Sequence, residues 1–89
     1  MRHRLALPAM LTKKKVREVA RHRREMGKRL TEARESAKLS LSEFARRVGV
    51  EPPTAWGWEN GRYSPGLVNL RKIATIVNKS VDEVVGEAA

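Results

Sequence analysis

Two capped segments separated by a three-residue gap constrain this chain more than anything else in it. Ser40-Leu41-Ser42-Glu43 has capping-box form. The Ser40 hydroxyl oxygen can accept from the Glu43 N–H, while the Glu43 carboxylate reaches back to the Ser40 N–H. Leu41, Phe44, Ala45 and Val48 follow at helical spacing and give a short helix one apolar face. Gly49 then sits where a left-handed residue ends a helix most easily. After Val50 and Glu51 come Pro52-Pro53. Paired prolines would ruin a helix interior but suit a first turn, whose N–H groups have no intrahelical partner. The second segment continues to Glu59 and stops at Asn60-Gly61. The expectation is two short helices, Ser40–Val48 and Pro52–Glu59, joined by Gly-Val-Glu.

The flanks extend the pattern. Val16, Val19, Met26, Leu30, Ala33 and Ala37 recur at helical steps, with Arg23 filling the gap in the stripe. Lys14, Arg17, Arg21, Arg24 and Lys28 share the opposite face if this stretch coils. Glu18 with His22 and Glu25 with Arg29 add i,i+4 support. Residues 1–11 contain Pro8 and no periodicity, so they read as a mobile arm. Lys13, Lys14 and Lys15 would oppose the helix dipole in a first turn. Fraying is therefore expected near Thr12, with firm helix from about Val16. Beyond Gly61, Ser64-Pro65-Gly66 reads as a turn. Leu67, Leu70, Ile73, Ala74 and Val77 make an amphipathic helix that Asn78 can stop. Ser80-Val81-Asp82-Glu83 is a second capping box, with Val81, Val84 and Val85 facing inward. Nothing alternates with period two. The fold class is all-α: five helices, the first extended backward by a basic leader. The divisions are 1–25 for the arm and helical extension, 26–85 for the globular domain, and 86–89 for a tail.

Charge is distributed unevenly. Residues 1–29 hold eleven Lys/Arg and two Glu, whereas residues 30–89 hold eight of each sign. A leader of +9 on a neutral body points to a polyanion. There is no cysteine, so disulfides and thiolate metal sites are excluded. His3 and His22 have no ligand partners nearby, and neither a metal nor any other cofactor is expected. No apolar run approaches the ~20 residues of a membrane span. The start only faintly resembles a signal peptide, because Pro8 interrupts it and Lys13–Lys15 follow. The expected location is cytoplasmic, on the nucleoid. No nucleophile–base pair, metal cluster or glycine-rich phosphate loop is present, so an enzyme is not expected.

Two short helices across a tight glycine-containing turn form a helix-turn-helix, whose second helix can enter a major groove. The match runs further than that motif. Met26-Gly-Lys-Arg-Leu30, Leu39-Ser-Leu-Ser-Glu-Phe-Ala45, Val48-Gly-Val50, Trp58-Glu-Asn-Gly61, Ser64-Pro65 and Ser80-Val-Asp-Glu-Val84 stand in order without insertion. Over residues 26–85 the chain resembles the phage-repressor and Cro-like family, also called the xenobiotic-response-element family. The resemblance implies a transcriptional regulator that binds double-stranded DNA as a homodimer. It implies a partly buried salt bridge between Arg34 and Glu59. It implies core roles for Leu30, Leu39, Phe44, Ala45, Val48, Ala55, Trp58, Leu70, Ile73 and Val77. Phosphate contacts would come from Ser40, Leu41 and Ser42, and from Asn60, Arg62, Tyr63 and Ser64. Base contacts would come from Pro52, Pro53, Thr54, Trp56 and Gly57.

The sequence departs from the family at two places. Leu41 stands where the family often has a phosphate-clamping Gln. The reading face also lacks the Arg, Lys, Asn and Gln that direct readout favours. Three explanations stay open. Apolar contacts and DNA shape could carry specificity. The leader could add contacts from Arg2, Arg4, Lys13, Lys14, Lys15, Arg17, Arg21, Arg24 and Lys28. The third helix could instead bind protein through Trp56, or Trp56 could pack on the leader. Arg46 and Arg47 are further cations placed to meet phosphate, as is Arg62, with Arg71 a further candidate. The rival function is an antitoxin that binds a toxin protein through the leader or the Trp56 face. An RNA or membrane-surface role is disfavoured by the lack of aromatics in the leader and its narrow apolar face.

Overall fold

A computed structural model describes the backbone of residues 2–86 and the side chains of residues 13–86. Five helices follow one another: α1 (Arg2–Ser36), α2 (Leu41–Val48), α3 (Pro52–Glu59), α4 (Leu67–Val77) and α5 (Val81–Val85). No strand occurs among the described residues.

Each boundary has a local chemical cause. Ser40 and Ser80 both close capping boxes, with Glu43 and Glu83 as their partners. Gly49 ends α2 at φ 95°, and its N–H donates to the Ala45 carbonyl. The prolines occupy the first two positions of α3, after Glu51. Asn78 ends α4 in the left-handed region at φ 58°. Lys38, at φ 64°, turns the chain between α1 and α2.

The core forms where α1 packs on α3, α4 and α5 while α2 packs on α3 and α4. Leu30, Phe44, Val48, Ile73 and Val84 are its largest fully buried side chains, and Trp58 is nearly so. Burying each such aliphatic or aromatic side chain contributes about 1.5–3 kcal/mol. Two inward assignments do not hold. Leu67 is 58% exposed, because it opens α4 before the helix reaches the core. Val85 is only half-buried, because the five-residue α5 turns just Val84 fully inward.

The mobile-arm reading of residues 1–11 is also corrected over 2–11, since α1 begins at Arg2; Met1 lies outside the described residues. Leu, Ala, Met and Arg favour helix there, against the bond that Pro8 removes. Lys13–Lys15 then lie in mid-helix rather than in a first turn, so the dipole argument for fraying at Thr12 has no terminus to act on. The side chains of Arg2 and Arg4, and residues 87–89 of the expected tail, lie outside what is described. The result is an elongated body of 51 × 26 × 19 Å, its length set by α1.

Candidate nucleic-acid interface

The site is built around α3, and α3 is held by its far end. Arg34 on α1 and Glu59 at the end of α3 form a bidentate pair, with Nε to Oε2 at 2.7 Å and Nη2 to Oε1 at 3.1 Å. Thr31 Oγ1 lies 3.0 Å from Oε1 of the same carboxylate. Arg34 Nη1 donates to the Leu39 carbonyl at 2.9 Å, which ties in the α1–α2 turn. Hydrogen bonding to Glu59 raises the Arg34 pKa above its ordinary value. Attraction to Glu59 and Glu35 acts in the same direction and burial opposes it. Gly27 brings the two backbones together: a Cβ there would collide with the Glu59 carbonyl oxygen and lie 2.8 Å from that of Trp58.

With Ala55, Gly57 and Trp58 buried, α3 turns Pro52, Pro53 and Trp56 to solvent, with Thr54 half-exposed. Gly57 does not belong to the exposed face. The Tyr63 ring lies over it, so that a methyl group at Gly57 would collide with the ring. The covering has a backbone origin. The Arg62 N–H donates to the Gly57 carbonyl at 2.9 Å, and Gly61 turns back at φ 72°. Asn60 Nδ2 donates to the Trp56 carbonyl at 2.9 Å. The segment after α3 is thereby folded onto the helix, and the Arg62 guanidinium sits 5.4 Å from the centre of the Trp56 ring. That stack was not apparent from spacing. A glycine inside α3 and an aromatic six residues later point only to the Tyr63 cover on Gly57. Trp56 is thus engaged by Arg62.

At the start of α2 the capping box is closed. The Ser40 N–H donates to Glu43 Oε1 at 3.3 Å, and the Glu43 N–H to Ser40 Oγ at 3.1 Å. The Ser40 amide is therefore occupied, and Leu41 and Ser42 carry the amides left for an anion. Leu41 is half-buried against the core, while Ser42, Arg46 and Arg47 are exposed. Asn60, Arg62, Tyr63 and Ser64 are all exposed as well.

The leader joins this surface. Lys14, Arg17, Arg21 and Arg24 line one side of α1. Arg24 packs against Gly61, its Cα 3.0 Å from where a Cβ on that glycine would stand. The basic face thus starts beside the segment that follows α3. Lys13, Lys15 and Lys28 are also exposed, Lys15 lying 3.8 Å from Glu18. The apolar stripe outruns the core. Val16 is 62% exposed and Val19 48%, whereas Met26 packs inward. Among the described residues no His/Cys/Asp/Glu group could hold a metal, and no helix is long and apolar enough to cross a membrane.

Two eight-residue helices, α2 and a protruding α3, joined across Gly49–Glu51 and held by α1 define the helix-turn-helix class. Residues 30–84 match the family model described as "Helix-turn-helix". The chain belongs to this Cro-like helix-turn-helix family, whose members are DNA-binding regulators. It is similar to an uncharacterized HTH-type transcriptional regulator of Archaeoglobus fulgidus, with 34% identity over 59 residues. That match covers 66% of this chain and 83% of the relative. A second protein with the same description, from Methanothermobacter thermautotrophicus, is 34% identical over 61 residues, covering 68% of this chain and 72% of its own.

Proposed function

We propose that this protein is a sequence-specific transcriptional repressor that docks α3 in the major groove. The observation that carries the reading is the outward face of α3. Pro52, Pro53 and Trp56, the last with Arg62 beside it, face solvent while Glu59 is locked at the other side. A helix so held can enter a groove without disturbing the core. Phosphates would be met by the Leu41 and Ser42 amides, by Arg46 and Arg47, and by Asn60 and Ser64. The basic face of α1 supplies most of the charge, because residues 30–89 are neutral. A body 51 Å long can cover up to about 15 base pairs at 3.4 Å each, which suits repression by occlusion. A homodimer would set two α3 helices about 34 Å apart on paired half-sites. The experiment is selection of bound duplexes from a random pool, then anisotropy titration of the enriched sequence. Enrichment of a common motif supports the reading, and a pool that stays random opposes it.

A second reading is favoured by the unburied Val16 and Val19. An antitoxin would use that edge of the leader to hold a toxin protein while α3 holds the operon's DNA. Loss of a co-purified partner on Val16→Asp, with DNA binding retained, would distinguish it.

A further inference from the structure

We infer that Arg62 reads a guanine base rather than holding a phosphate, and that Trp56 positions it; this rests on the DNA-binding reading above. The α3 face itself offers no side chain that can pair bidentately with a base. Pro52 and Pro53 lack donors, Trp56 has a single ring N–H, and Thr54 has one hydroxyl. The most selective major-groove contact is a guanidinium fork on guanine O6 and N7. A guanidinium is nevertheless present on that face, supplied from outside the helix. Arg62 lies 5.4 Å from the Trp56 ring centre.

Three features suit it to a base and not to a backbone. Held over the ring by a cation–π contact, the guanidinium keeps N–H donors available to a base edge. Arg62 enters neither of the two ion pairs found among the described residues, Lys15–Glu18 and Arg34–Glu59. Its main chain is also fixed to α3. The Arg62 N–H donates to Gly57 at 2.9 Å, the Gly61 N–H to Trp58 at 3.3 Å, and the Tyr63 hydroxyl lies 3.5 Å from the Pro53 carbonyl oxygen. An arginine meant only to neutralise phosphate needs none of this. Here the side chain starts from a fixed point and lies along the tryptophan that would accompany α3 into the groove. The Trp56 ring edge beside it can meet a thymine methyl. The expected recognition element is therefore a G·C pair next to a T·A pair.

The test compares the full-length protein with Arg62→Met and Trp56→Ala by selection from random duplexes and by salt titration, each variant first checked for helix content by circular dichroism. Lysine can itself pair with guanine, whereas Arg62→Met keeps an aliphatic stem and removes every donor. It is expected to cut the guanine preference at one position by roughly 5- to 150-fold, leaving the other positions and the salt slope unchanged. Trp56→Ala should weaken preference at that same position. A guanine preference retained in Arg62→Met, with affinity lowered uniformly and the salt slope flattened by about 0.9, would make Arg62 a phosphate contact and overturn the inference alone, as would a wild-type motif without guanine. Absence of any duplex binding by wild type would remove the DNA-binding reading and this inference together.

Discussion

Replacing Glu59 with alanine tests the anchor on which the placement of α3 depends. The Glu59 carboxylate accepts two bonds from Arg34, at 2.7 and 3.1 Å, and its side chain is only 6% exposed. The Arg34 side chain is 15% exposed, so both charges are largely out of water. Thr31 would not be stranded, since its hydroxyl has a second acceptor in the Gly27 carbonyl at 3.0 Å. The loss therefore falls on Arg34, which would keep only the Leu39 carbonyl. Leaving one buried partner unpaired costs about 3–5 kcal/mol. In a domain this small, each kcal/mol moves the melting midpoint by about 4–8 °C, so Glu59→Ala should lower it by at least about 12 °C. Thermal circular dichroism reads this directly. The double variant Arg34→Met with Glu59→Leu should recover much of the loss, because it buries no charge. A shift of Glu59→Ala below about 4 °C, or a double variant no better than the single one, would show that the pair does not hold α3.

Other substitutions probe separate parts. Gly27→Ala would ordinarily favour helix, but its methyl group meets the Glu59 and Trp58 carbonyls. It should therefore destabilise by about 1–3 kcal/mol in urea unfolding. Changing Lys14, Arg17 and Arg21 together to Gln should flatten the slope of log affinity against log salt by up to about 2.7 units; an unaltered slope would remove the leader from the interface. The Ser80 backbone and hydroxyl bonds hold the Glu83 carboxyl below its ordinary pKa. Its contribution is thus complete above the unfolded-state value and lost as pH falls through the lower folded one. Amide shifts of Ser80 and Glu83, followed by NMR on acidification, should titrate together in that acid range, and Glu83→Gln should abolish the step.

Much of the fold was legible because its boundaries are local chemistry. Ser40 with Glu43, Ser80 with Glu83, Gly49 and the Pro52-Pro53 pair each act within a few residues, and all of them sit at helix ends. The start of α1 was harder to read. Pro8 and three lysines argue locally for a break, while the propensity that opposes them is spread over many residues. Leu67 fits the α4 stripe by spacing, but spacing does not say where along a helix the core begins. At the candidate interface, the exposed Pro52, Pro53 and Trp56 were implied by the family resemblance, which also placed the buried Gly57 on that face. The Tyr63 cover on Gly57 and the Arg62–Trp56 stack were not, because both depend on how the next segment folds back.

The unbroken course of α1 from leader to core turns the leader into a ruler. Between Pro8 and Gly27 it has no proline or glycine to act as a joint. Adding one alanine in that span would swing every cation on its outer half by about 100° around the axis and advance it by about 1.5 Å. Whatever surface those cations address, its distance and bearing from Trp56 are written into the residue count.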